Sequence, residues 1–389
     1  MKKILHIQCL AKLSGVQKIS LEIMRGLDNS EFDKTILFSS SDCTGDKSAL
    51  EKAFTEAGCK IIYSDNMVRE LNPVKDFKAI REIRKLCKQN GYDVVHTHSS
   101  MLGVVGRIGA TLAGVPLVIH TVHGLSFTKY TPPLLYAAYF IFETIASFFC
   151  TKITSVNKYY LRFFKLFRRK TETVYNGMDF NELEKKRVNK LEDSQHIRLL
   201  FVGRLAPPKN ILTILKAFKL AHDKKENLTL TVVGDGEFYA DCQKYISDNN
   251  FSSCVYLEGW KSNPVPYYCN SDIFISSSLY EAFGLMFLEA SYFNLPILAS
   301  NVEGIPKVVL DGKTGLLNAP NDIEKLSEHI LLLANDFQKR SELGENGHRY
   351  VTEQFSNSVM VEKYKENYSI VEGEVLKYSV THSDLEVAA

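Results

Sequence analysis

The chain has 389 residues, 45% hydrophobic and 24% charged, enough to bury a sizeable core and most simply divided into two domains, which excludes a short peptide module or a disordered tail. Its formal charge of +2 hides an asymmetry, because Lys and Arg number 29 against 20 acids up to Asp193 and 18 against 25 beyond it. An anionic surface therefore suits the first half and not the second. Met1-Lys2-Lys3 runs straight into the strand pattern of Ile4 to Leu10 without the apolar core of an export signal, and the eight cysteines are scattered singly with no C-x-x-C. Reduced core thiols in a cytoplasmic compartment, and no cysteine-ligated zinc, are expected.

Short β-branched runs alternate with helical patterns, which predicts parallel sheets covered by crossover helices. The first series of strands is 3–9, 35–39, 60–64, 93–98, 117–122, 152–156 and 172–176. After the first strand, Gly15 permits close backbone approach to a phosphate, although a single glycine is thin evidence. His96, His98 and His120 recur at alternating positions, so zinc has to be weighed, yet no carboxylate-rich helix motif accompanies them. Satisfied core histidines are the simpler reading for His96 and His120, while His123-Gly124 places an imidazole at a strand's carboxyl end. Pro132 to Cys150 carries only Glu143 as a charge, and because it lies between two strands of one sheet it is expected as a partly buried helix with an exposed aromatic side. Lys158 to Lys170, KYYLRFFKLFRRK, sets cations among aromatics at helical spacing, which suits a phospholipid headgroup layer better than a nucleic-acid groove. An ordinary core helix and a solvated helix face are the plain alternatives for these two stretches.

The charged run Asn181 to Ser194 looks like a connector, and further strands follow at 197–203, 228–233, 254–258, 273–277, 296–299 and 315–317. The expected division is 1–180, a linker 181–195, a second doubly wound domain 196–357, and a helix over about 358–376 returning to the first. The active site is expected where the two halves face each other. Arg204 and Lys209 open a new helix five residues apart, a fork and a point charge that suit a diphosphate; ion pairing at the surface would explain either one alone. The stretch from Ser276 to Ser300 ends a strand in serines and starts a helix near Phe283. Glu281 precedes that helix, the amides of Phe283, Gly284 and Leu285 lead it, and Glu289 lies within it, which suits sugar and ribose hydroxyls. Gly234-Asp235-Gly236 lacks the third glycine of a dinucleotide fingerprint, and Gly312-Lys313-Thr314 lacks the upstream glycine of a Walker loop.

With GRLAPPKN, VVGDGE, E-x7-E, EGIPKVV and DGKTGLL in this order, the chain resembles the family 4 retaining glycosyltransferases of GT-B fold, of the bacterial surface-polysaccharide type. The resemblance implies two Rossmann-like parallel-sheet domains facing across a cleft, and metal-independent transfer of a hexosyl or N-acetylhexosaminyl group from a nucleotide-diphosphate donor, most often a UDP-sugar. Arg204 and Lys209 would hold the diphosphate and Glu289 the ribose, while Glu281 and the Phe283, Gly284 and Leu285 amides would meet the donor sugar and phosphate. His123 matches the catalytic-site histidine and Gly15 the glycine loop, where Ser14 stands in place of the family's usual second glycine; Lys307 replaces the acid usual after the G-I-P turn. The implied partners are an undecaprenyl-diphosphate-linked saccharide acceptor and the anionic inner face of the plasma membrane, with no metal, separate cofactor or nucleic acid. The rivals are a UDP-sugar epimerase of the same architecture and a non-catalytic nucleotide-sugar-binding scaffold.

Overall fold

The computed structural model describes residues 1–9, 14–40, 47–68, 72–191 and 195–369, which fall into two compact units. The first comprises Met1–Gly177 and the segment from Asn357 onward; the second is Met178–Ser356. The first unit is built on β1 (Lys2–Gln8), β2 (Phe32–Ser39), β3 (Cys59–Ser64), β4 (Val94–His98), β5 (Leu117–Val122), β6 (Lys152–Ser155) and β7 (Thr171–Thr173). They form one parallel sheet in the order β3-β2-β1-β4-β5-β6-β7. The second unit holds β8 (Ile197–Val202), β9 (Leu228–Val233), β10 (Val255–Gly259), β11 (Ile273–Ile275), β12 (Ile297–Ser300) and β13 (Gly315–Asn318), in the order β10-β9-β8-β11-β12-β13. All thirteen expected strands are present, and the architecture is that of two doubly wound domains.

Helices cover both sheet faces, so strand residues point into apolar packing on either side and read as nearly continuous hydrophobic runs. In the second unit Leu199, Phe201, Leu230, Val232, Ile273 and Ile275 close over Ile214, Leu215 and Phe218 of the helix Ile211–His222. In the first, the helix Ser100–Ala113 carries glycine every third residue on its inner side; a Cβ at Gly103 would sit 2.7 Å from the His120 ring, and one at Gly106 2.8 Å from Thr97. The stripe lets that helix lie against β4 and β5.

In each sheet the strand order reverses once, between β1 and β4 and between β8 and β11. Chains leave such neighbouring strands in opposite directions, which opens a crevice at their carboxyl ends. Two expectations need adjustment. The charged connector is pinned to the second unit: it starts as the helix Phe180–Glu184, Arg187 lies 4.8 Å over the Phe293 ring, and Lys190 pairs with Asp272 at 2.7 Å. The basic stretch is a four-residue helix, Lys158–Leu161, followed by 3-10 turns over Arg162–Lys170 with kinks at Phe164 and Phe167, because Phe164, Phe167 and Lys170 all turn inward. The last helix is Asn357–Tyr368 and packs on Gly15–Gly26; the remainder of its expected span, 370–376, lies outside the described residues, as does Cys43. The seven described cysteines are all buried.

Candidate active site

The second unit gathers its candidate residues at the β8/β11 switch point. Beyond β8 the chain turns through Gly203-Arg204-Leu205, and the Gly234-Asp235-Gly236 turn stacks upon it: the Leu205 amide donates to the Asp235 carbonyl at 2.9 Å and the Phe238 amide to the Leu205 carbonyl at 3.0 Å. Gly234 sits at φ +152°, and a Cβ there would lie 1.8 Å from the Gly203 carbonyl oxygen, so only glycine fits. Pro207–Lys209 forms a 3-10 turn, after which Asn210 takes the left-handed conformation at φ 53°. Ser277 Oγ donates to the Asn210 carbonyl at 2.7 Å, and the Leu279 amide to the Pro208 carbonyl at 2.8 Å. These bonds staple the lysine turn to the exit of β11.

The staple brings Lys209 and Glu281 into an ion pair, Nζ to Oε2, with both side chains mostly covered. Glu281 is held from the other side, since the Gly304 amide donates to its carbonyl at 3.1 Å; the preceding Glu303 has φ 43°, a conformation ordinarily left to glycine. Gly284, at φ 82°, caps the helix Leu285–Tyr292, which begins two residues later than expected because this left-handed step stops Phe283 from joining it. The Phe283 ring is buried against Phe355, leaving its backbone as the part that can meet a ligand. Glu289 accepts a 2.7 Å hydrogen bond from the buried Tyr268 hydroxyl. Its lone pair holds the tyrosine proton, so burial and the carboxylate push the Tyr268 phenol well up. Arg204 is exposed and has no ion pair among the described residues. A concavity lined by Arg198, His222, Glu226 and Tyr256 lies at the opposite end of the sheet, far along the strands from these groups.

In the first unit His123 follows β5 and is half-buried, and burial draws its imidazole down to about 4. Its Nε2 lies 3.0 Å from His98 Nδ1. His96 and His98 share one face of β4 with His6 of β1, whereas His120 faces the other way, bonding Thr97 at 2.9 Å near the buried Arg107–Glu143 pair. Nitrogens of His6, His96 and His98 lie within 4.8 Å of one another, a spacing open to a metal, and each of their six ring nitrogens is within hydrogen-bond reach of a side-chain partner. Sequence reasoning missed His6, Tyr364 and Tyr368, which come together only through strand register and the returning helix. It also missed Gln8, fully buried at the end of β1 with neither amide atom bonded among the described residues. Gly15 opens the helix Gly15–Gly26 and has nothing within 4 Å of an added Cβ, so the fold itself does not demand glycine there.

Two family models divide the chain: "Glycosyltransferase Family 4" matches residues 13–182 and "Glycosyl transferases group 1" residues 182–350. An Escherichia coli enzyme named UDP-Gal:alpha-D-GlcNAc-diphosphoundecaprenol alpha-1,3-galactosyltransferase is 29% identical over 381 residues, covering 94% of this chain and 96% of that one. The capsular polysaccharide biosynthesis glycosyltransferase CapM of Staphylococcus aureus is 25% identical over 385 residues, covering 95% and 97%. Among solved structures, the Anabaena protein HepE in complex with UDP and glucose superposes with a TM-score of 0.77 at 17% identity, covering 95% of this chain and all of that one, which speaks for the fold. Matched along nearly its whole length by the two family models and by these relatives, the chain belongs to the family 4 glycosyltransferases of GT-B fold.

Proposed function

We propose that this glycosyltransferase moves a hexosyl or N-acetylhexosaminyl unit from a UDP-sugar, with retention and without a metal, onto an undecaprenyl-diphosphate-linked saccharide at the inner face of the plasma membrane. The observation that carries the reading is the Lys209–Glu281 pair, fixed by backbone hydrogen bonds at the switch point, with Arg204, which has no ion pair among the described residues, five residues before Lys209. Two cations neutralise a departing diphosphate as its charge develops, and a carboxylate beside them accepts sugar hydroxyls. In this reading Arg204 and Lys209 hold the diphosphate, Glu281 and the Phe283, Gly284 and Leu285 amides hold the sugar and phosphate, Glu289 holds the ribose, Gly15 lies under a phosphate, and His123 contacts the donor sugar. The acceptor hydroxyl attacks the face the diphosphate leaves, and the leaving phosphate takes its proton. The Escherichia coli relative's undecaprenol-linked substrate supports the lipid acceptor.

The membrane part of the reading rests on one contiguous surface of the first unit. The helix Pro133–Ser147 exposes Leu134, Ile141, Phe142 and Ile145, each at least half uncovered. Phe127 packs edge-on against Tyr136 at 4.9 Å and Phe163 at 5.3 Å, joining that helix to the segment whose Lys158, Arg162, Lys165, Arg168 and Arg169 are exposed. Buried Lys170 donates to the Ser147 and Cys150 carbonyls at 2.7 and 2.6 Å and ties the two together at the helix end. Among the described residues no helix is long and apolar enough to cross a membrane.

Mass spectrometry of products from a panel of UDP-sugars and synthetic undecaprenyl-diphosphate saccharides tests the assignment, with the anomeric configuration read by NMR. Conversion of a UDP-sugar without acceptor would point to an epimerase, and binding without turnover to a scaffold.

A further inference from the structure

On a single face of the first sheet, imidazoles of β1 and β4 meet Thr121 of β5 and His123 just beyond it. His6 stands opposite His96 in the β1/β4 register, and His98 opposite Thr121 in the β4/β5 register. From His123 Nε2 a continuous chain runs 3.0 Å to His98 Nδ1, from His98 Nε2 3.2 Å to His6 Nδ1, and from His6 Nε2 2.9 Å to the Tyr368 hydroxyl. It continues 2.7 Å to His96 Nδ1 and, from His96 Nε2, 2.6 Å to Thr121 Oγ1. Everything between His123 and Thr121 is buried, and His123 Nδ1, at the open end, takes no hydrogen bond among the described residues.

Burial lowers the affinity of these imidazoles for a second proton, so each is neutral, with one N–H and one lone pair. A ring that accepts on one side must donate on the other, and the chain therefore has a direction. Run one way, Tyr368 donates to His6, His6 Nδ1–H to His98, and His98 Nδ1–H to His123, whose own proton must then sit on Nδ1. Run the other way, every proton moves across its bond and His123 shows a lone pair at Nδ1.

Ser20 decides between them. Its hydroxyl lies 2.7 Å from His6 Nδ1, the atom that also faces His98 Nε2. One N–H can be shared between two acceptors, a common arrangement. The single in-plane lone pair of a ring nitrogen takes two donors poorly.

We infer that Tyr368, His6 and His98 form a relay that locks His123 in its Nδ1–H tautomer, making them positioning residues that oblige it to offer a donor to the sugar. The inference rests on the reading that His123 contacts the donor sugar. It makes the last helix part of the site through Tyr368, which reaches His123 only by way of His6 and His98.

The test is long-range 15N–1H correlation NMR on the full chain labelled with 15N-histidine, the His123 signals being assigned by their loss in His123→Asn. One His123 species, protonated at Nδ1 and bare at Nε2, is expected; a mixture, or the opposite tautomer, overturns the relay. Tyr368→Phe should turn the single species into a mixture and lower kcat roughly ten-fold with the donor KM within about two-fold; an unchanged His123 spectrum overturns the relay. Ser20→Ala removes the contact that sets the direction and should likewise turn the single species into a mixture; an unchanged single species there would also overturn the relay. Full kcat in His123→Asn would instead remove the role of His123 at the sugar, an outcome the spectrum reads separately.

Discussion

Lys209 and Glu281 occupy places the backbone has made for them, so removing either charge should cost chemistry rather than fold. Glu281→Gln and Lys209→Ala are each expected to lower kcat/KM by about 100-fold or more, a loss of activity well beyond what the change in stability of so covered a pair would explain. Steady-state kinetics beside thermal melts check this, and near-wild-type turnover in both variants would end the assignment. Gly234→Ala is the contrasting case, because its Cβ would overlap the Gly203 carbonyl and the whole turn must shift; soluble yield and Tm should both drop sharply. The histidines add a pH dependence. His6, His96, His98 and His120 are held neutral by burial, His6 at about 3, while the unfolded chain protonates them near 6.5. Stability is then fully present above the unfolded value and is lost as the pH falls toward the folded ones, at up to about 1.4 kcal/mol per unit for each ring. Tm should be flat from about pH 7.5 upward and fall steeply between about 6.5 and 5; a flat profile to pH 5 would mean the rings charge inside the fold.

Elements show where sequence reading works. All thirteen strands were legible because buried parallel strands announce themselves by composition, and the turns that carry Arg204, Lys209 and Glu281 because their short spacing survives in the chain. The helix at Phe283 was placed two residues early, since nothing in composition reveals that Gly284 turns left-handed. Partners far apart in the chain were not legible. Glu143, the only charge in the apolar helix, meets Arg107 of the helix Ser100–Ala113 at 2.8 Å, both buried, and no local pattern links two residues separated by a whole strand. His6 and Tyr368 were missed for the same reason, being 362 residues apart. The ion pair gives an element-scale prediction. Arg107→Met strands a buried carboxylate and should cost about 3–5 kcal/mol, while adding Glu143→Leu should restore most of it. Denaturant melts of the two singles and the double read the outcome.

At the scale of the molecule, the excess of cations lies in the half that carries the exposed apolar helix. Insertion of Ile141 and Ile145 into an acyl boundary and attraction of five exposed cations to anionic headgroups would act together. Flotation with vesicles rich in anionic lipid should therefore carry the wild type upward and leave Ile141→Glu/Ile145→Glu behind. That variant should keep its rate on a short soluble saccharide and lose most of it on the undecaprenyl-linked one; wild-type protein that does not float, yet works fully on the soluble acceptor, would remove the membrane from the reading.

Synthesis proceeds from the amino end, and Tyr364 and Tyr368, which cover the histidine face of the first sheet, are among the last described residues to leave the ribosome. The earlier half of the protein must wait, with that face bare, while all of Met178–Ser356 is translated and emerges. A ribosome that stalls or terminates before the final helix would release a chain whose Lys209 and Glu281 turns are complete and whose histidine face has never been closed.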